Sequence, residues 1–292
     1  MTNPPAPPQA RPRRWERALP ETTPAPPRPT PAPMKWWAAY GLYAAMFVIV
    51  FSEWPVWALE AVGWSPPPKL TGDVTLDNAA SAAAWHWSTH AVLVLVVLGI
   101  ALAVTRSRGL RLSDIGVRPR WVRTSDREER QRWRRQARRV FWWMLAAFAV
   151  ATLLRGVLTA VLPEAWGDPA DASPPDGAVE AAKLSIILAL TTAPLAVSTS
   201  WIEEAVNVAL LAILGDAARR PTWELIAVAA VAKTAYHLTS GWAVIAVAVP
   251  AAAGIWLWRR TGRLTPIMAA HAAHNLAVSA VMLTAGTALM MT

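Results

Sequence analysis

The chain has 292 residues, 54% of them hydrophobic, with 18 tryptophans, no cysteine and a formal charge of +9. Apolar runs of 20 residues or more exclude an ordinary water-soluble domain and predict an all-α, polytopic helical membrane protein. The lack of cysteine excludes disulfides, a thiol nucleophile and cysteine-based metal sites.

Residues 1–34 hold 12 of the 25 prolines, interspersed with Ala, Thr and Arg. Such a segment cannot build a core, so a disordered cytoplasmic tail is predicted. It lacks the apolar stretch of a cleavable signal peptide. Residues 35–183 then read as N-terminal membrane helices. The first span is predicted at Lys35–Leu59, with Trp36, Trp37, Trp54 and Trp57 as interfacial anchors. Glu60–Ala83 reads as an external loop, and Ala84–Thr105 as the second span.

Segment 106–139 carries 13 arginines against four acids, a net charge equal to that of the whole chain. An arginine cluster between two apolar spans marks the cytoplasmic side of a membrane rather than a nucleic-acid surface. Within it, Ser125-Asp126-Arg127-Glu128 has capping-box spacing, so a helix is expected to start there and run into the third span, Val140–Leu162. Arg155 in that span is read as snorkelling to the outer interface. Pro163–Lys183, rich in Pro, Asp and Gly, is an external loop.

Residues 184–292 form the predicted core. Leu184–Leu214 is long for one crossing, and Pro194 with Ser198-Thr199-Ser200 predicts a kink or break there. Glu224–Leu238, Trp242–Trp258 and Leu264–Met290 follow, joined by a Thr239-Ser240-Gly241 turn and a basic Arg259–Arg263 connection. The total is seven crossings, or eight if the fourth span is two. Every arginine-rich connection then falls on one side. The protein is expected in the cell membrane with its N-terminus cytoplasmic.

Glu203 and Glu204 stand in the middle of the fourth span. An ionised carboxylate at a helix centre costs several kcal/mol in hydrocarbon, so the pair marks a buried site with partners. His237, His271 and Asn275 are the partners the other spans offer. His271 and Asn275, four apart, share a helix face. His274 lies off that face and reads as a spare imidazole. A water between a carboxylate and a neutral imidazole can be deprotonated, and an amide plus a second imidazole can stabilise an oxyanion. Zinc is the competing reading, weakened by the absence of His-Glu-x-x-His. No cofactor is expected.

These residues carry a resemblance. Glu203-Glu204, a histidine at the outer end of the next span, and Thr261-Gly262-Arg263-Leu264-x-Pro266-Ile267-x-x-x-His271-x-x-x-Asn275 resemble the CPBP intramembrane proteases, also called the type II CAAX prenyl endopeptidase or Abi family. Gly109 to Arg118 is similar to the loop that often precedes that domain. The resemblance covers about Leu184 to Val281. It implies metal-independent, glutamate-type peptide hydrolysis of a membrane-associated peptide or protein. It also implies Glu203 as the base with His237, Glu204 as supporting carboxylate, and His271 with Asn275 as oxyanion hole.

The family pattern is Glu-Glu-x-x-x-Arg, Phe-x-x-x-His and His-x-x-x-Asn. Its Arg is Val208 here, and its Phe is Lys233. Antiparallel fourth and fifth spans place these two positions at similar depth, so Lys233 is expected to replace the lost Arg as counter-ion of Glu204. Lysine lacks the bidentate fork of arginine. The alternatives are a non-catalytic scaffold or immunity-type protein of the same fold, and a transporter with a midplane proton site. Membrane lipids are the other expected partners.

Overall fold

The computed structural model describes residues 30–52, 54–64, 76–117, 127–161, 193–238 and 241–290. The greater part of the tail, the Ser125–Glu128 cap signal, the Pro163–Lys183 loop, residues 184–192 and the Thr239-Ser240 turn lie wholly or partly outside them. Among the described residues every regular element is helical.

Helix α1 (Trp36–Phe51) stops at Ser52, whose extended backbone (φ −98°, ψ 171°) breaks the expected first span. A short α2 (Trp54–Ala61) follows. Pro55 explains the restart, because proline fits only the first turn of a helix. Helix α3 (Leu76–Ser107) begins earlier than the apolar pattern alone, because Ala-rich 79–84 extends it. Helix α4 (Arg127–Val161) is one 35-residue helix. At 1.5 Å per residue it is about 50 Å long, well beyond a hydrocarbon core of roughly 30 Å. Its arginine-rich first third is therefore helix, not loop.

Helix α5 is described over Ala193–Ala217 and is continuous from there through Ser198-Thr199-Ser200 to the glutamate pair. The irregularity lies after the glutamate pair, where Ala205–Leu210 is a π-helix. Helix α6 (Thr222–His237) follows. A 3-10 turn, Trp242–Val247, leads into α7 (Ala248–Thr261). Gly262, at φ 69°, caps α7 in the left-handed conformation that glycine adopts without strain. Helix α8 (Thr265–Met290) closes the chain.

Among the described residues four helical stretches are long and apolar enough to cross a membrane: Ala83–Ser107, Arg130–Val161, Ala193–Ala217 and Trp242–Thr261. Their burial differs. In α5, 72% of the most apolar window is buried, against 28% in α3 and 17% in α4. So α5 is the central helix, and α3 and α4 present Leu95, Leu153 and Val157 outward as lipid would require. The π segment of α5 touches α1, α3, α6 and α7, while α8 packs along α4.

One end of the bundle is interlocked by polar contacts. The Met34 amide donates to the Ala217 carbonyl at 2.9 Å, and the Ala32 amide to Arg108 at 3.1 Å. Arg259 pairs with Asp216 and donates to the Arg220 carbonyl at 3.2 Å. Arg220 pairs with Glu224 at 2.5 Å, and the Tyr40 hydroxyl also donates to Glu224. Arg263 lies over the Trp133 ring, 3.6 Å from its centroid, and donates to the Trp133 carbonyl at 2.6 Å. The 109–117 loop docks here too: Thr265 Oγ1 donates to the Gly116 carbonyl at 2.9 Å and Trp258 Nε1 to Ile115 at 3.1 Å. Gly116 has φ 82°, and a Cβ on it would meet the Gly262 carbonyl oxygen at 2.2 Å. Gly116 is thus required by the close approach of the Gly262 carbonyl as well as by its own positive φ. The described ends of the arginine-rich connections gather at this one end.

Candidate active site

Glu203 and Glu204 leave α5 about 100° apart, and their carboxylates straddle one cation. Lys233 Nζ, from α6, is 3.0 Å from Glu204 Oε1 and 3.3 Å from Glu203 Oε2. All three side chains are buried: Glu203 is 4% exposed, Glu204 1% and Lys233 2%. Burying ions is unfavourable unless each is compensated, and removing one partner strands the others. The expected Lys233–Glu204 pair is present, and the same lysine also serves Glu203.

His271 enters from α8. Its Nδ1 lies 2.8 Å from Glu204 Oε1, outside hydrogen-bond geometry, and its Nε2 lies 3.9 Å from Glu203 Oε2. Phe148 of α4 fixes the ring by stacking at 4.5 Å and 28°. The same Phe148 stacks on His274 at 4.8 Å and 14°, and Lys233 Nζ lies 5.6 Å from its centroid. Four helices therefore meet here: α5, α6, α8 and α4.

The remaining two predicted site residues flank this centre. His237, the last residue of α6, is half-buried with its ring 4.2 Å from that of Tyr236. Glu203, Lys233, Arg155 and His271 are its electrostatic neighbours. Asn275 lies one turn beyond His271, and its amide donates to Ser200 Oγ at 3.0 Å and to the Ala196 carbonyl at 3.4 Å. It ties α8 to α5 one turn before the glutamates. Arg155 is exposed on α4, as expected of a side chain reaching an interface.

Val208 is 1% exposed within the π segment. Gly254 of α7 faces it: a Cβ there would meet Val208 Cγ2 at 2.9 Å and Glu204 Oε2 at 3.5 Å. Val208 and the Glu204 carboxylate thus border the same small space. A π turn in the middle of a helix is unfavourable by itself and occurs mostly at functional sites.

Several contributors carry no motif-level signal. Tyr43 of α1 donates to Asn207 Oδ1 at 2.9 Å. His90 Nδ1 of α3 lies 3.0 Å from Ser198 Oγ. Tyr236 is stacked on Phe51 at 4.3 Å and 12°. None is marked out by its sequence alone; each becomes visible from its place in the bundle.

The centre is closed and under-satisfied. Glu203 Oε2, Glu204 Oε2, Asn207 Nδ2, Tyr236 hydroxyl and His271 Nδ1 are buried without a hydrogen-bond partner among the described residues. Buried polar atoms are usually paired, so such a cluster marks a place where a polar molecule would be stabilised. Among the described residues no group of three or more His, Cys, Asp or Glu side chains is arranged to hold a metal ion. The Lys233 ammonium lies where a cation would have to sit.

A family model described as type II CAAX prenyl endopeptidase Rce1-like matches residues 182–277. That stretch contains Glu203, Glu204, Lys233, His237, His271 and Asn275. No curated protein matches the chain, and no solved structure matches it.

Proposed function

Residues 182–277 belong to the Rce1-like type II CAAX prenyl endopeptidases, and from that premise we propose that the chain is an intramembrane endopeptidase of the glutamate type. Its substrate is a membrane-associated peptide or protein. Water enters beside Glu203, which takes its proton, with His237 at the open side of the site orienting it. His271, held by Phe148, faces the carbonyl being attacked. Glu204 supports the charge balance, and Asn275 fixes α8 against α5.

Lys233 takes the part of the missing motif arginine. One ammonium lies within 3.3 Å of both carboxylates, all three side chains being buried. Val208, at the arginine position, borders Glu204 across Gly254. Loss and gain of the cation therefore concern the same carboxylate. Lysine offers a point charge rather than a fork, so turnover below that of an arginine-bearing relative is expected.

The convergence of Glu203, Glu204, Lys233 and His271 from separate helices, with polar atoms left open, is the observation that carries this reading. A second reading has support in the same geometry: the lysine clamps both carboxylates and the cluster only holds helices together. Comparing new peptide termini in membranes of cells producing the native chain and Glu203→Ala decides between them. Termini that vanish in the variant support hydrolysis; identical termini in both support the clamp.

The topology that accompanies the proposal is seven crossings, with the interlocked arginine end in the cytoplasm. Reporter fusions at Pro175 and Arg130 should report opposite sides, and equal sidedness would refute it.

A further inference from the structure

The arginines of the interlocked end divide into two kinds. Arg220 and Arg259 have acids, Glu224 at 2.5 Å and Asp216. Arg260 and Arg263 have no acid among the described residues. Each lies over a tryptophan instead, Arg263 3.6 Å from the Trp133 centroid and Arg260 5.2 Å from that of Trp256. The Nε of each is buried without a hydrogen-bond partner.

Arg263 is the sharper case. It is 5% exposed. Its one described hydrogen bond runs from Nη1 to the Trp133 carbonyl at 2.6 Å, a neutral acceptor. Burial lowers its guanidinium from the ordinary arginine range to about 9, so it stays charged at neutral pH. A buried charge without a counter-ion is costly. The aromatic face offsets part of that cost, and an anion would offset more.

The surroundings decide which anion. Trp133 lies seven residues before Val140, where the apolar part of α4 begins, which is about 10 Å along the helix. Arg134 and Arg138, four apart and so on one face, stand one residue round from Trp133 and Ala137, and both are exposed. Exposed Arg139 and Trp142 carry this surface on into the span. Arginines followed by tryptophan at the start of an apolar stretch mark the headgroup layer of a membrane. Basic pockets between helices on the cytoplasmic side take anionic headgroups, whose phosphate matches the arginine fork.

We propose that the seam between α4 and the α7–α8 turn, at Arg260, Arg263 and the Arg134–Arg138 face, binds the phosphate headgroup of an anionic phospholipid. A headgroup there braces α4 against the start of α8, the two helices that carry Phe148 and His271. The seam is separate from the glutamate pair: Trp133 and Phe148 are 15 residues, or about 22 Å, apart along α4. The proposal does not depend on peptide hydrolysis.

The test titrates phosphatidylglycerol into the purified full chain in neutral detergent and follows the unfolding temperature, which a ligand of the native state raises. The native chain should show a saturable rise with phosphatidylglycerol and none with phosphatidylcholine. Arg263→Gln should need at least about tenfold more lipid for the same rise, the weight of one charge-assisted contact. Arg260→Gln should do the same, and it decides the matter if Arg263→Gln does not fold. Arg132→Ala, which removes an exposed charge paired with Glu128, should leave the titration unchanged. A native chain stabilised equally by both lipids, or by neither, overturns the proposal. So do glutamine variants that titrate like the native chain, since the arginines are then only fasteners on tryptophan. An equal weakening by Arg132→Ala would show diffuse attraction along the basic helix, and a rise reproduced by inorganic phosphate would show a soluble-anion site; either result also overturns it.

Discussion

The cytoplasm-facing end proposed for the central helix and its middle treat charge in opposite ways. At the Ala217 end, Arg259, Asp216, Arg220, Glu224 and Tyr40 form closed pairs at the bundle rim. In mid-helix, Glu203 and Glu204 are more deeply buried, yet Glu204 leaves Oε2 without a hydrogen bond and Glu203 Oε2 faces the shared Lys233 ammonium. Rim pairs with solvent beside them stabilise little and need no further explanation. A buried carboxylate left partly open is costly and invites one. The difference shows why charge alone is a poor guide to function: what separates a fastener from a site is unsatisfied valence in a dry place.

The largest expected effect lies in the buried cluster. Lys233→Phe removes the one ammonium shared by two carboxylates and should destabilise the fold by about 3–5 kcal/mol, as loss of one partner from a buried pair does. Thermal unfolding in detergent measures it. Adding Val208→Arg should recover much of the loss, because position 208 borders Glu204 beside Gly254. A harmless Lys233→Phe, or no recovery with Val208→Arg, would show that the two positions do not exchange a cation.

Next in size is the glycine contact at the interlocked end. Gly116→Ala puts a Cβ against the Gly262 carbonyl oxygen at a backbone angle that L-residues rarely adopt. A loss of about 1–3 kcal/mol is expected from the strain. It should lower the unfolding temperature without altering the pH dependence of any activity, since the site is distant.

Asn275→Ala removes bonds to Ser200 and Ala196. About 1 kcal/mol of stability should go with them. Ser200→Ala should cost less, because the Asn275 amide keeps its bond to the Ala196 carbonyl and the Ser200–Ala196 bond that is lost is local to α5. If Ser200→Ala proves worse than Asn275→Ala, the α5–α8 tie is not what those bonds supply.

The smallest effect belongs to the exposed pair on α4. Arg132 and Glu128 are 3.3 Å apart with side chains 63% and 80% exposed. Arg132→Ala should change stability by no more than about 0.5 kcal/mol. A larger effect would mean that the arginine-rich segment contributes to the fold as the buried cluster does.

Much of this arrangement is legible in the sequence. Two carboxylates in an apolar run demand partners, and antiparallel spans place Lys233 level with Glu204 by counting turns. The all-helical class and the resemblance over residues 182–277 to the type II CAAX prenyl endopeptidases follow from the same pattern. What the sequence hides is local backbone detail. Among the described residues the irregularities fall at Ser52 and in the π turn 205–210, the latter after the glutamate pair rather than before it. That α4 runs through its arginines into the third span is, by contrast, signalled by the Ser125–Glu128 spacing, and arginine is a good helix former. Aromatic placement is also hidden: Phe148 and Tyr236 look like any apolar helix residue until the neighbouring helices are in place.

Whether the glutamate pair is a working site or a fastener turns on Glu203. The most direct measurement is Glu203→Gln in purified protein, following peptide cleavage and thermal unfolding on one preparation. The variant keeps the shape of the side chain and leaves Lys233 paired with Glu204, so the account predicts cleavage reduced by at least about 100-fold with the unfolding temperature unchanged or raised. Unchanged cleavage, or a loss of cleavage that merely tracks a lowered unfolding temperature, would contradict it.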